Sequence, residues 1–231
     1  MFEKWFNFYF FLKMNSETVQ SAYALMPLFP IMSFISVLVF LAAERINNQV
    51  GRWGGKMAAS TVFILFAVYL DALESVHGQA LMTALLCSWV GDLLLLSGKG
   101  KWFLYGLVSF LLAHIAFALC FIQRGIDTGQ LLLPGAGVSL LVLVISYWLL
   151  PHVENEMKLP VLGYMAAIVV MVILAFATHH HLPNAAIPIA ACLFLVSDLF
   201  VARARFIRKG AWNRIISTPL YFGAQMIFAA I

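Results

Sequence analysis

Charged side chains are scarce in this chain of 231 residues, of which only 10% are Asp, Glu, Lys or Arg and 63% are hydrophobic. The mean hydropathy of +0.95 excludes a soluble domain with a solvated surface. Cysteine is rare as well, and Cys87, Cys120 and Cys192 lie within apolar runs, without the spacing of a disulfide or metal framework. These features predict an integral membrane protein.

The chain also lacks internal linkers, because no Gly/Ser-rich stretch, charge block or low-complexity tract separates two halves. We therefore expect a single transmembrane domain over residues 21–231. Residues 1–20 stand apart: their aromatic run 5–12 is short and flanked by Lys4 and Lys13. Such a segment is typical of an interfacial anchor. It has no small-residue cleavage site after its apolar core, so a removed signal peptide is not expected.

Apolar runs long enough to cross a bilayer, which takes about 20 residues, recur along the rest of the chain. They predict an all-α polytopic membrane protein with about eight transmembrane helices, the second being the shortest. The predicted spans are 25–43, 57–71, 80–97, 103–123, 131–150, 160–178, 184–202 and 213–231. Similar local sequence in the third and seventh spans suggests two parallel four-helix repeats.

The basic residues are distributed unequally between the two sides of this topology. One side carries only Lys4, Lys13 and Arg124. The other carries Arg45, Arg52, Lys56, Lys99, Lys101, Lys158, Arg203, Arg205, Arg208, Lys209 and Arg214. The positive-inside rule places this larger group in the cytoplasm and both termini outside. We expect a multi-pass protein of a bacterial inner membrane, whose net charge of +4 reflects topology and anionic lipids and not nucleic acid.

Two carboxylates interrupt the apolar runs, Asp92 in the third span and Asp198 in the seventh. An Asp near the centre of a membrane helix costs roughly 2.5–3.5 kcal/mol on insertion scales. An intramembrane acid is therefore a functional hypothesis, with capping of a broken helix or bonding to a neighbouring Ser as its structural alternative. Both residues lie within about 10 Å of the cytoplasmic boundary at 1.5 Å per residue, which makes each the candidate partner of the other.

Further polar side chains are expected to form a funnel with these acids. Tyr147 and Tyr164 fall in the same layer, and His114 and Gln225 lie deeper. In the fourth span Phe103, Gly106, Phe110 and His114 share one helical face, which predicts that this face lines the cavity. Packing alternatives stay open for all of these groups. Ser88 and Ser197 are assigned to helix packing or to hydrogen bonding with an Asp. Lys56 is expected to snorkel or to hold a substrate phosphate.

The triplet 179–181 consists of three histidines at the outer surface. Successive residues of one loop rarely converge on a single ion, so we interpret the triplet as a solvated loop and predict no metal site. The cluster of basic residues from Arg203 to Arg214 is expected to contact phospholipid headgroups or to guide an anionic substrate.

With these residues in place, the sequence resembles the YhhN family of membrane proteins, which includes the lysoplasmalogenases. The resemblance covers residues 25–231. Its carriers are Lys56, Gly91-Asp92, the Phe103 to His114 face, Tyr147, Pro160-Val161 with Tyr164, Phe194 through Ser197-Asp198, and Tyr221 to Gln225. Met57 stands where the family pattern has Pro. The resemblance implies hydrolysis of the vinyl ether of a lysoplasmalogen to a fatty aldehyde and glycerophosphoethanolamine or glycerophosphocholine, without a cofactor.

A vinyl ether hydrolyses when a proton reaches its β-carbon and water captures the resulting oxocarbenium ion. Two neighbouring buried carboxyl groups can hold one proton between them near neutral pH. The hypothesis is that one of Asp92 and Asp198 protonates the alkenyl carbon, while the other stabilises the cation and activates water. The expected partners are a lysophospholipid substrate and membrane lipids, and a homodimer is left open.

Functions from other classes use similar residues. Acids and His within helices also form the proton relay of a proton-coupled transporter, although no interrupted helix pair is evident. A zinc hydrolase of the membrane ceramidase type needs several converging His ligands, and only His114 and the peripheral His152 are available. A hydrolase of another lysolipid and a purely lipid-binding protein also remain open.

Overall fold

The computed structural model describes residues 24–97, 100–181 and 185–231. Within these residues the chain is helical, with eight α-helices and no strand. They are α1 (Leu28–Arg45), α2 (Gln49–Tyr69), α3 (Val76–Leu96), α4 (Gly100–Gln123), α5 (Leu132–Leu149), α6 (Asn155–His181), α7 (Ala186–Ala202) and α8 (Ala211–Ala229). A 3-10 turn, Leu150–His152, extends α5, and a π-helical turn, Arg203–Ile207, extends α7. The predicted interfacial segment 1–20 lies outside the described residues.

Six of the described helices, α1 and α3 to α7, are long and apolar enough to cross a membrane. The prediction of about eight spans is therefore supported for six. Helices α2 and α8 are more polar because they bury Ser60, Asn213 and Gln225 inside the bundle. The predicted sidedness of the termini and the predicted repeats stay predictions.

The start of α2 was predicted wrongly. The helix begins at Gln49 and not at residue 57, and with 21 residues it is longer than α7, which has 17. The Asn48 side chain caps it by accepting a hydrogen bond from the Gly51 amide at 3.0 Å. Lys56 therefore lies in the second turn of α2 and does not open the helix.

Close helix packing builds the core. Helix α1 packs on α2, α3 on α4, α7 on α8, and α4 on α6. Phe63, Phe117, Phe194 and Phe228 are fully buried between these pairs. Helix α5 packs mainly on α6 and buries only Val142 and Leu149. The polar side chains discussed below therefore converge from α2, α3, α4, α6, α7 and α8.

The outer surface of the bundle is apolar, as a lipid-facing surface requires. Helix α1 exposes Ile31, Phe34 and Ile35, each more than half exposed. A continuous apolar face of this kind is rare on a soluble monomer. The ends of α1 and α7 and the starts of α2, α4, α6 and α8 carry most of the Lys and Arg side chains, and we call this end of the bundle the basic end. Glu44 joins three of its elements by ion pairs with Arg52 and Arg214.

Candidate active site

Asp92 is the centre of a buried polar cluster and is only 1% exposed. Its Oδ1 lies 3.1 Å from the Lys56 ammonium. Its Oδ2 accepts hydrogen bonds from the Ser60 hydroxyl at 2.6 Å and the Tyr221 hydroxyl at 2.7 Å. One cation and two hydroxyl donors thus compensate the negative charge of this carboxylate.

Helical spacing explains how α2 supplies two of these donors. Lys56 and Ser60 are four residues apart and lie on the same face, which is turned toward α3. The Lys56 side chain is 15% exposed, so most of its length is inside the bundle. Lys56 is thus paired with Asp92 instead of snorkelling to the interface, and its expected role in holding a substrate phosphate stays a prediction.

Asp198 has other neighbours, Tyr164 and His114. Its Oδ2 accepts a hydrogen bond from the Tyr164 hydroxyl at 2.6 Å. The Nε2 atom of His114 lies 3.6 Å from the same oxygen. The Asp198 side chain is 18% exposed, whereas that of His114 is fully buried. The structure thus gives each of the two carboxylates its own partners, whereas the sequence had made each the candidate partner of the other.

The protonation of His114 follows from its surroundings. Its Nδ1 lies 2.6 Å from the Phe110 carbonyl oxygen, and because a carbonyl only accepts, Nδ1 is assigned the hydrogen. Nε2 is buried, has no hydrogen-bond partner and faces Asp198. A lone pair on Nε2 opposite a carboxylate oxygen is repulsive unless one proton lies on this pair. The geometry of His114 and Asp198 therefore fits a pair that carries one proton.

A layer of aromatic rings separates the two acid sites. Tyr221 packs edge-to-face against Phe194 at 5.3 Å and Phe110 at 5.8 Å between ring centroids. The His114 ring packs on the same Phe194 at 4.8 Å and on Tyr164 at 5.0 Å between ring centroids. Because Tyr221 is hydrogen-bonded to Asp92 and Tyr164 to Asp198, ring contacts through Phe194 and His114 connect the two acid sites.

An apolar pocket lies between α3, α4, α5, α6 and α7, and such pockets with a few polar groups are typical of small-molecule sites. Among the described residues that line it, Tyr164 and Asp198 are the polar ones. The wall consists of Leu95, Phe103, Leu107, Val142, Ile145, Leu149, Val161, Tyr164, Met165, Ile168, Leu195, Asp198, Leu199, Val201, Ala202 and Phe206. The pocket can thus hold an aliphatic chain with a reactive group beside Asp198.

Tyr147 does not belong to this site, contrary to expectation, because its side chain is 86% exposed. The pocket-facing residues of α5 are Val142, Ile145 and Leu149, spaced three and four apart. Tyr147 follows Ile145 by two residues and so points to nearly the opposite side of the helix. The predicted span gives the depth of Tyr147 in the membrane, but it does not give the rotation of α5, which decides where the Tyr147 side chain points.

Three other residues predicted for the site, Ser88, Ser197 and Gln225, have no described contact with Asp92 or Asp198, and they support the fold around the two acids. The Ser88 hydroxyl donates to the Ala84 carbonyl at 2.9 Å within α3. The Ser197 hydroxyl donates to the Ser217 carbonyl at 2.9 Å and ties α7 to α8. Gln225 is fully buried near the Tyr221 hydroxyl, and neither of its amide atoms has a hydrogen-bond partner.

Two donors to Asp92 were not identified as site residues from the sequence, Ser60 and Tyr221. Ser60 had a usable signal, since it follows Lys56 by four residues on one helical face. Tyr221 was recognised in the sequence only among the residues that carry the family resemblance. The predicted inward face of α4 is confirmed, because Gly106, Phe110 and His114 are buried. Of the four residues predicted on this face, Phe103 lines the pocket and the other three do not.

The histidine triplet belongs to α6, which continues to His181 instead of ending at residue 178 as predicted. The side chains of residues 179–181 lie outside the described ones. In the part of the chain that the structure describes, no group of three or more His, Cys, Asp or Glu side chains is arranged to hold a metal ion.

These observations define a class: a multi-helix protein of membrane-spanning composition whose apolar pocket has one acidic side chain in its wall. Residues 51–231 match the YhhN family, and the chain belongs to that family. It is 30% identical over 162 residues to proteins named lysoplasmalogenase from Mycobacterium bovis and Mycobacterium tuberculosis. Each match covers 65% of this chain and 59% of the relative. No solved structure is significantly similar to the chain.

Proposed function

We propose that this chain is a membrane hydrolase that cleaves the vinyl ether bond of lysoplasmalogens. The products are a fatty aldehyde and glycerophosphoethanolamine or glycerophosphocholine. The observation that carries the proposal is the apolar pocket with Asp198 and Tyr164 as its polar residues, which suits an aliphatic chain with a proton-sensitive bond at one end. The two mycobacterial relatives are named lysoplasmalogenase, which supports the same substrate class.

The reaction is the addition of one water molecule across the ether. A proton adds to the β-carbon of the alkenyl group, and the electron pair of the double bond forms the new C–H bond. The resulting oxocarbenium ion accepts water at the carbon bound to oxygen. Loss of a proton gives a hemiacetal, which collapses to the aldehyde and the glycerol hydroxyl. This scheme uses an acid and a base and requires neither a metal nor a cofactor.

In our proposal Asp198 delivers the proton, because it is the carboxyl group in the pocket wall. The His114 Nε2, which faces Asp198 at 3.6 Å, keeps the required proton on this pair. Tyr164 holds the carboxyl oxygen by its hydrogen bond of 2.6 Å. Once Asp198 has given up the proton, its carboxylate stabilises the oxocarbenium ion and accepts a proton from the attacking water.

Asp92 has a different proposed part, as a positioning residue. It lies outside the pocket wall, and Lys56, Ser60 and Tyr221 already use its two oxygens. Its hydrogen bond fixes Tyr221, and Tyr221 packs on Phe194, which contacts the His114 ring. The sequence-based hypothesis left the roles of the two acids interchangeable, and the geometry favours Asp198 as the proton donor.

The test is the reaction of the purified protein with alkenyl-lysophosphatidylethanolamine in D₂O. We expect a fatty aldehyde that carries one deuterium on the carbon next to the carbonyl group, observed by mass spectrometry after immediate reduction to the alcohol. The ester-linked lysolipid is the control and should release no aldehyde. A folded protein that forms no aldehyde, or forms it without deuterium, would contradict the proposal.

A further inference from the structure

The apolar pocket extends to the basic end of the bundle. Phe103, at the start of α4, and Phe206, in the π-helical turn after α7, both line it. Their rings pack edge-to-face with centroids 5.9 Å apart. The hydrogen bond from the Arg208 amide to the Arg203 carbonyl, at 2.9 Å, closes this π-helical turn, and such turns are frequent at functional sites.

Arg205 is the cation placed on this part of the pocket. Its guanidinium carbon lies 4.5 Å from the centre of the Phe103 ring, which is a cation–π distance. The side chain is exposed, so stacking on Phe103 holds the guanidinium beside the pocket while its N–H groups remain available. Arginine in this setting offers a planar, bidentate donor set that matches a phosphate group.

Four other cations of the basic end are engaged elsewhere. Lys56 pairs with Asp92, and Arg52 and Arg214 pair with Glu44. Arg203 donates to the Asn213 side-chain oxygen at 2.6 Å, and this asparagine also holds the Arg208 carbonyl. Arg205 therefore differs from these four in combining exposure with contact to a residue of the pocket wall.

We propose that Arg205, stacked on Phe103, binds the phosphate of the lysophospholipid headgroup and thereby sets the position of the substrate in the pocket. This inference rests on the proposed function for the identity of the substrate. Arg205 follows Asp198 by seven residues, about 10 Å along a helix axis, and its side chain can extend back toward the acid. In a lysophospholipid a glycerol backbone separates the ether oxygen from the phosphate, so in this proposal Asp198 and Arg205 contact neighbouring parts of one substrate.

The test is equilibrium binding of a radiolabelled 1-alkyl-lysophosphatidylethanolamine to the full chain in nanodiscs. The saturated ether cannot be hydrolysed by protonation, so binding is measured without turnover. Arg205→Gln should raise Kd about tenfold, which equals about 1.4 kcal/mol, and Arg205→Lys should give an intermediate Kd. Lys209→Gln, which removes an exposed cation from the same end, is the matched control and should leave Kd within about twofold.

Two further ligands identify what Arg205 binds. A 1-alkylglycerol, which has no phosphate, should bind equally to the wild type and to Arg205→Gln. Inorganic phosphate alone should bind weakly. Tight phosphate binding that depends on Arg205 without any change in lipid affinity would overturn the lipid assignment. An unchanged lipid Kd in Arg205→Gln, or an equal loss in Lys209→Gln, would overturn the inference as a whole.

The result for phosphate binding by Arg205 can be distinguished from the result for the proposed hydrolase activity. If the alkyl lipid binds through Arg205 but the vinyl ether releases no aldehyde, the hydrolase proposal fails and the phosphate site stands. If aldehyde forms and Arg205→Gln binds the alkyl lipid like the wild type, the hydrolase proposal stands and the phosphate site fails.

Discussion

The ion pair between Lys56 and Asp92 supports a sharp prediction about stability. Replacing Lys56 by Met removes the ammonium that lies 3.1 Å from Asp92, while the carboxylate stays in place with 2% side-chain exposure. Ser60 and Tyr221 still donate to Asp92, but two neutral hydroxyls do not replace a full positive charge. The variant therefore has an uncompensated charge inside the bundle.

The expected loss is about 3–5 kcal/mol of unfolding free energy, the usual cost of removing one partner from a buried pair. For a chain of this length each kcal/mol lowers Tm by about 2–4 °C. Lys56→Met should therefore lower Tm by on the order of 10 °C. The double variant Lys56→Met/Asp92→Asn removes both charges and keeps the shape of the site, so it should recover at least half of this loss.

The assay is thermal unfolding of the purified variants in one detergent, followed by tryptophan fluorescence. Lys209→Met is the matched control, because this lysine is exposed at the same end of the bundle. The reasoning would be refuted if Lys56→Met lowered Tm by less than about 2 °C, the shift for less than about 1 kcal/mol. It would equally be refuted if the double variant were less stable than Lys56→Met.

Two other predictions concern residues away from the acids. Tyr147→Ala should leave both kcat/KM for the lysoplasmalogen and Tm near their wild-type values, since this side chain is 86% exposed; a tenfold fall in kcat/KM would place Tyr147 in the site. Gly55→Ala should destabilise the protein by about 1–3 kcal/mol, because a Cβ there would lie 2.7 Å from the Phe40 backbone nitrogen. Gly54→Ala is the control, because there is open space around the new methyl group, and it should leave Tm unchanged or raise it slightly. Equal Tm values for the two variants would contradict the close approach of α1 and α2.

The sequence was sufficient to identify the two acids, because a charged side chain in an apolar run is costly and therefore conspicuous. It was also sufficient to predict an all-helical membrane protein, the basic end and the inward face of α4. The membrane class follows from composition, the basic end from the distribution of Lys and Arg along the chain, and the inward face of α4 from the helical repeat of 3.6 residues per turn.

The partners of the acids could not be predicted in the same way. Ser60 and Tyr221 are 32 and 129 residues from Asp92 along the chain, and the depth of a residue does not define the rotation of its helix. The same limit explains the error at Tyr147, which was assigned to the correct segment but to the wrong face. The start of α2 was missed because its first turns are polar and do not form an apolar run. Arg52 and Lys56 in these turns are paired with Glu44 and Asp92 in the folded protein.

The most direct test of the central claim is the initial rate of aldehyde release from alkenyl-lysophosphatidylethanolamine by the wild type and by Asp198→Asn, at equal amounts of folded protein. The account predicts that the wild type releases aldehyde and that kcat falls by about 10²–10⁴ in the variant, the usual contribution of a positioned general acid. Hydrolysis by Asp198→Asn at a rate near that of the wild type would contradict it.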